Sequence, residues 1–319
     1  MLLLQFKKTS GLLRQKHLKN LWSDLKEAIA GTEKDFTNTG LAKSIFLLSI
    51  PMVLEMIMES IFAVADIFFV SKLGSEAVAI VGITESLMTI IYAIGMGLGA
   101  ATTALVARRI GQKKHAEAGK IAMQAIITGI GISLIIAIPG SLYAKNLMQL
   151  MGAPVSKNFA LSAYPAIMLG SNGVIMLLFI INAILRSSGD AAASMRVLWI
   201  ANILNIILDP CLIFGLGPFP ELGITGAAIA TATGRGIAVI YQFYLLFRSK
   251  TRVKLSANNL KIHLNIIRKL LKLSTGSIGQ SLIATSSWIV MVRIIAEFGS
   301  QVLAGYTIAI RIIIFAMLP

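Results

Sequence analysis

The 319 residues are 56% hydrophobic and only 13% charged, whereas soluble domains are roughly half apolar and a quarter charged, and this excludes a water-soluble fold. The formal net charge of +15 does not mark a nucleic-acid binder, because the basic residues cluster between long apolar runs instead of covering a surface. A single cysteine, Cys211, excludes an internal disulfide, and its place in an apolar run assigns it to packing.

In chain order, residues 1–43 are basic and mixed in composition. Their apolar start, Met1–Leu4, is shorter than the roughly 7–15 residues of a signal-peptide core, so no cleaved leader is expected. Eight apolar runs then follow, near 44–70, 77–106, 118–138, 160–185, 197–216, 224–247, 273–296 and 302–319. Each approaches the roughly 20 residues that span hydrocarbon as a helix, and lipid forbids the unpaired backbone of any open alternative. Turn chemistry separates several of them, at Lys72-Leu73-Gly74-Ser75, Gly152-Ala153-Pro154, Pro218-Phe219-Pro220 and Phe298-Gly299-Ser300. Lys and Arg divide 23 to 3 between alternate sides of these runs, which puts the amino terminus in the cytoplasm under the positive-inside rule. The sequence thus predicts an all-α polytopic membrane protein with four regions. These are a cytoplasmic segment (1–43), a six-helix lobe (44–247), a cytoplasmic linker (248–272) and the first two helices of a second lobe (273–319). The linker alternates basic and apolar residues, as an amphipathic helix on the inner face does.

Sliding the chain against itself by 225 residues pairs Leu48-Ser49 with Leu273-Ser274, Gly74-Ser75 with Gly299-Ser300, Ala79 with Ala304 and Ile83 with Ile308. Six spans separate the copies, so they share orientation about an axis along the membrane normal. The repeat predicts two six-helix lobes and about 2 × 225 residues for a whole protein, with the chain stopping early at Pro319 and unable to transport by itself.

Ionisable residues inside spans cost about 2.5–3.5 kcal/mol each on insertion scales and are functional candidates by default. On the first span Glu55, Glu59 and Asp66 fall within about 40° of arc at 100° per residue. Asn202, Asn205 and Asp209 form a second polar stripe on the fifth span, and Thr231 and Arg235 stand one turn apart on the sixth. Measured from the outer span ends at 1.5 Å per residue, Asp66, Asp209, Thr231, Glu85 and Asn205 lie roughly 6–17 Å deep. They can share one outer-half cavity. Carboxylate, amide and hydroxyl oxygens suit a hard cation such as sodium, and the same carboxylates can take a proton. Against this stands a purely structural role: Glu55 neutralising a basic neighbour such as Arg235 or Arg293, and Arg235 and Arg311 serving as counter-ions. Gly95-Met96-Gly97-Leu98-Gly99 follows no strand and reads as close helix packing, not a nucleotide loop. His17, His115 and His263 lack metal-site spacing. No Gly-x-x-x-x-Gly-Lys-Ser/Thr run is present, so ion gradients, not ATP, are the expected energy source, and no enzymatic activity is expected.

Four motifs together carry a family resemblance: Ser49-Ile50-Pro51, Ala65-Asp66-Ile67-Phe68-Phe69-Val70, Asn205-x-x-x-Asp209-Pro210 and Gly226-Ala227-Ala228-Ile229-Ala230-Thr231. From about Lys43 to Pro319 the sequence resembles the multidrug and toxic compound extrusion (MATE) transporters, especially the branch related to the DNA-damage-inducible F protein. The resemblance implies twelve helices in two lobes around a central cleft in the plasma (inner) membrane. It implies a monomer that exports cationic or amphipathic organic compounds against inward proton or sodium flow, with no other cofactor. By motif, the coupling site for H+ or Na+ is Asp66, Asn205, Asp209 and Thr231, the residues that the stripes and depths select. Glu59, Glu85, Asn202 and Arg235 stand beside it as candidates for substrate contact. Some members carry a further cation-binding acid in the seventh helix, where this sequence has Ala284. A flippase for lipid-linked saccharides is the alternative. It calls for a wide cationic cavity, whereas the inward groups here are mainly acidic, which favours a cationic substrate. A passive channel or receptor has no specific support.

Overall fold

The computed structural model describes residues 25–26, 28–31, 40–153, 159–247, 253, 255 and 260–317. Its helices are α1 (Leu41–Ser71), α2 (Ser75–Gly111), α3 (His115–Leu142), α4 (Ala144–Leu150), α5 (Phe159–Gly170), α6 (Asn172–Ser187), α7 (Ala191–Phe214), α8 (Ile224–Phe247), α9 (Leu264–Ala296) and α10 (Ser300–Met317). Among the described residues there is no strand. Eight segments are long and apolar enough to cross a membrane, with 163–187, across α5 and α6, counting as one. These runs are rich in Ile and Val, yet they form helices because only a helix satisfies its backbone within one segment. Pro51, Pro139, Pro165 and Pro210 are accommodated inside them, as neighbouring helices allow.

Two departures from the sequence reading have local causes. The run near 160–185 is broken at Ser171, where the Asn172 side-chain amide donates to the Leu169 carbonyl at 2.6 Å. That bond gives the backbone an alternative to the helix ladder. Leu264–Lys272, assigned to the linker from sequence, instead continues into the seventh span as one helix. Most of the rest of that linker, and most of the segment 1–43, lie outside the described residues.

The helices close into a bundle in which α1 packs on α7, α7 on α8, α8 on α5 and α6, and α6 on α2 and α3. Its centre is filled by Ile180, Ile181, Ile184 and Leu185 of α6 against Ile83, Met88, Ile91 and Leu98 of α2. α9 lies along α2, while α10 meets α2 and α1. Gly82 and Thr307, which the 225-residue offset equates, touch: a Cβ on Gly82 would fall on the Thr307 hydroxyl. The glycine run on α2 serves packing on two sides, with Gly95 and Gly99 facing Phe179 and Ala183 and Gly97 facing Ile278. The start of α9 is held to the first bundle by buried Gln124 of α3. Its amide donates to the Lys261 carbonyl and accepts from the His263 N–H, each at 2.9 Å.

The contact of α7 with α8 brings backbone to backbone. A Cβ on Gly226 would collide with the Leu212 carbonyl group, and one on Gly234 would stand 2.9 Å from the Ala201 carbonyl oxygen. Gly226→Ala is therefore expected to destabilise by about 1–3 kcal/mol, the usual cost of overpacking, and to lower Tm in detergent. Gly236→Ala, which meets open space, is the control. There the better helix propensity of alanine should hold or raise Tm. Equal Tm values for both variants would contradict this packing.

Candidate ion-coupling site

The polar cluster sits where α1, α2, α7, α8 and α10 converge. Asp190 caps α7 by accepting from the Ala193 N–H at 2.9 Å, and one helical face then carries Asn202, Asn205 and Asp209, all buried. Pro210 removes the N–H that would otherwise bond the Ile206 carbonyl. Gly215 ends the helix in the left-handed conformation (φ 69°), which glycine adopts at no steric cost. The chain then folds back, Leu222 and Gly223 donating to the Leu212 and Ile213 carbonyls, and re-enters as α8 with Thr231 facing Asn205.

Asn205 joins these groups. With its amide oriented to satisfy both neighbours, its NH2 donates to Asp209 Oδ2 (2.7 Å). Its oxygen accepts from the Thr231 N–H and hydroxyl, each at 2.9 Å. Orientation follows from the network, since the opposite setting faces acceptors with acceptors. Asp209 is fully buried and within electrostatic reach of Asp66 and Arg311. Asp66, of α1, is 5% exposed and is not hydrogen-bonded to the α7–α8 group among the described contacts. It is held instead by Arg311 of α10, whose Nη1 donates to Asp66 Oδ2 at 2.9 Å and to the Ala63 carbonyl oxygen at 2.6 Å. Nη2 of the same guanidinium donates to Glu85 Oε1. Tyr164, also buried, lies close enough to Asp66, Glu85 and Arg311 to feel their charges.

The other candidates form a second group two turns along α1. Glu59 accepts from Asn202 Nδ2 at 2.9 Å and stands 3.9 Å from Arg235 Nη2. Arg235 also lies over the Phe62 ring at 5.8 Å, and its Nη1 is buried with no hydrogen-bond partner. A further turn along, Glu55 accepts from Arg186 Nη1 (3.4 Å) and the Ser194 hydroxyl (3.3 Å). The counter-ion of Glu55 is thus Arg186, not Arg235 or Arg293: Arg186 reaches it from the end of α6, Arg235 stands beside Glu59, and Arg293 bonds Glu297 four residues further on. The acidic stripe read from sequence is matched acid by acid with arginines from three other helices. The stripe on α1 therefore holds no uncompensated acidity that would by itself favour a cationic substrate. Among the described residues, no group of three His, Cys, Asp or Glu side chains is placed to hold a metal ion. Any sodium ion here must rely on the amide and hydroxyl oxygens as well as carboxylates.

The sequence names Arg311 as a counter-ion but not as a member of the site, and the structure pairs it with Asp66 and Glu85. The signal was present in the repeat: the 225-residue offset equates Arg311 with Ser86, the neighbour of Glu85, and equivalent positions meet where a two-fold axis passes.

A family model described as MatE matches residues 51–211. A FAD transporter of Shewanella oneidensis is 35% identical over 185 residues, covering 58% of this chain and 41% of that protein. The multidrug export protein MepA of Staphylococcus saprophyticus is 24% identical over 281 residues, 88% of this chain and 61% of MepA. The inward-facing structure of a multidrug resistance MATE family transporter of the MOP superfamily superposes with a TM-score of 0.72 at 28% identity. It covers 84% of this chain and 61% of that one. A MOP superfamily transporter from Pyrococcus furiosus, described as having a binding pocket of reverse polarity that suggests a different function, gives 0.68 at 26% identity, covering 85% and 65%. The chain therefore spans 41% and 61% of the lengths of these two curated relatives.

Proposed function

Because the chain belongs to the MatE family of membrane transporters, with positions 51–211 matching the family model, we propose that it is part of a secondary antiporter in the plasma membrane. It exports cationic or amphipathic organic compounds, driven by inward flow of protons or sodium. The observation that carries this reading is the burial of Asp209 against Asn205 and Thr231, with Asp66 within electrostatic reach. Uncompensated polar groups are costly inside a membrane. A carboxylate without a full counter-charge there earns its place by taking up a mobile cation. Asp66 and Asp209 supply the charge, Asn205 and Thr231 the neutral oxygens.

The test is reconstitution of the full-length protein in vesicles with a fluorescent dye cation and imposed pH or sodium gradients. Dye export driven by one gradient and abolished by its collapse is expected; export indifferent to both gradients refutes antiport. The proposed orientation keeps the amino terminus and the start of α9 in the cytoplasm. In a Cys211→Ser background, Pro220→Cys should react with an impermeant thiol reagent from outside the cell, and reaction from the cytoplasmic side alone would invert the topology.

The arginines beside the acidic groups favour a second reading of the cargo. Arg235 keeps an unpartnered Nη1, and arginine is the preferred partner of carboxylate and phosphate groups. A cargo bearing such groups, like that named for the Shewanella relative, fits this chemistry. Counterflow with FAD in place of the dye separates the two readings.

A further inference from the structure

We propose that the Arg311 guanidinium is a resident counter-ion of Asp66 which the driving cation displaces, so that ion entry and release of α10 from α1 are one event. The inference rests on the assignment of Asp66 to ion coupling above. Arg311 rises from α10, while every group it bonds, the Asp66 and Glu85 carboxylates and the Ala63 carbonyl, belongs to α1 or α2. Its side chain is 6% exposed. Two carboxylates around one guanidinium leave one negative charge, and the Asp209 carboxyl lies within electrostatic reach. The cluster therefore has charge to attract a further cation, and Arg311 already holds Asp66 Oδ2.

Arginine cannot relieve this conflict by losing its proton. Two like charges on one carboxylate repel strongly where solvent is scarce, so cation and guanidinium exclude each other at Asp66. Glu85, about one-third exposed, gives the displaced guanidinium somewhere to stay. It can pivot onto Glu85 while leaving Asp66 and the Ala63 carbonyl, and those two are the described hydrogen bonds between α10 and α1, which otherwise only pack. By linkage, whatever loosens Arg311 tightens the cation, and the converse. A purely structural Arg311 would behave otherwise: its loss would weaken the fold and leave cation affinity unchanged or lower.

The experiment places spin labels at Ile61→Cys and Ile313→Cys, both exposed positions, in the full-length Cys211→Ser protein. The label distance is followed as sodium is titrated at fixed pH in one arm, and as pH is lowered without sodium in the other. The arm that responds names the cation. In the wild-type background, cation is expected to shift the distance. Arg311→Gln should show the shifted distance without cation, and by direct binding should take the cation ~10-fold more tightly or better, since a competitor bonded through charge-assisted hydrogen bonds has gone. Arg311→Lys should fall between, because one ammonium cannot span Asp66, Glu85 and Ala63 together. Wild-type distance and affinity in Arg311→Gln would overturn the proposal, as would a parent protein that responds in neither arm. If Arg311→Gln does not fold, unchanged behaviour of Arg311→Lys overturns it equally. Loss of the response in Asp66→Asn beside an unaffected Arg311→Gln refutes only the role of Arg311. A full response in Asp66→Asn instead refutes the coupling assignment itself.

Discussion

Asp66→Asn and Asp209→Asn, each in the full-length protein, are expected to abolish gradient-driven export while leaving membrane insertion and folding intact. Asparagine keeps the shape of aspartate and removes its charge. A unit charge about 4 Å from a bound cation contributes about 4 kcal/mol at an effective dielectric constant near 20, so each variant should bind the coupling ion about a thousandfold more weakly. The fold survives because neither change strands a buried charge. In Asp66→Asn the Arg311 guanidinium retains Glu85 and the Ala63 carbonyl, and in Asp209→Asn the new amide oxygen still accepts from Asn205. Glu55→Gln should lose far less, since Glu55 is tied to Arg186 and Ser194 three turns along α1 from Asp66. Vesicle efflux rates normalised to protein inserted are the measurement. Near-normal export by both aspartate variants would remove the coupling mechanism and leave the fold standing.

The second large effect is expected from a residue with no polar atom in its side chain. Gly234 lets α8 approach α7 so closely that an added Cβ would lie 2.9 Å from the Ala201 carbonyl oxygen and 3.3 Å from the Asn205 nitrogen. Thr231 is one turn away, and its 2.9 Å bond to Asn205 requires that approach. Gly234→Val must push the helices apart or unwind a turn, at a cost of about 1–3 kcal/mol for the overpacking. The Asn205–Thr231 bond breaks in either case. Export should fall at least tenfold although every carboxylate is in place, in keeping with the sensitivity of preorganised sites to sub-ångström misplacement. Export at the parent rate would show that Thr231 does not need Asn205.

Much of this was legible in the sequence because a membrane simplifies the reading. Runs such as Ile224–Phe247 have no alternative to the helix, and that one is observed at the expected bounds. Burying Asp66, Asn205 and Asp209 costs enough that helical spacing alone selects them. The misreadings concern features that depend on neighbours. The break at Ser171 was signalled by Gly170-Ser171-Asn172-Gly173, but a continuous apolar run around it masked the signal. Counting depth from the span ends spreads the site residues over roughly 6–17 Å, although Asn205 and Thr231 are hydrogen-bonded. The residues between Phe214 and Ile224 form a folded-back turn that contributes no helical rise. Which arginine meets which acid depends on helix order around the bundle. Arg186 reaches Glu55 and Arg311 reaches Asp66 across 131 and 245 residues, and nothing local in the sequence encodes those distances.

The grip of Gln124 on the chain just before α9 has a mechanical consequence. Both ends of one buried amide fix Lys261 and His263 to α3, so the 33-residue helix that follows is a lever with a fixed fulcrum, about 50 Å long at 1.5 Å per residue. Tilting it by about ten degrees would carry its far end, beside Arg293 and Glu297, through about 9 Å while the fulcrum scarcely moves. A rotation that leaves the Gln124 bonds intact is thus enough to displace the opposite end of the helix by more than the width of a side chain.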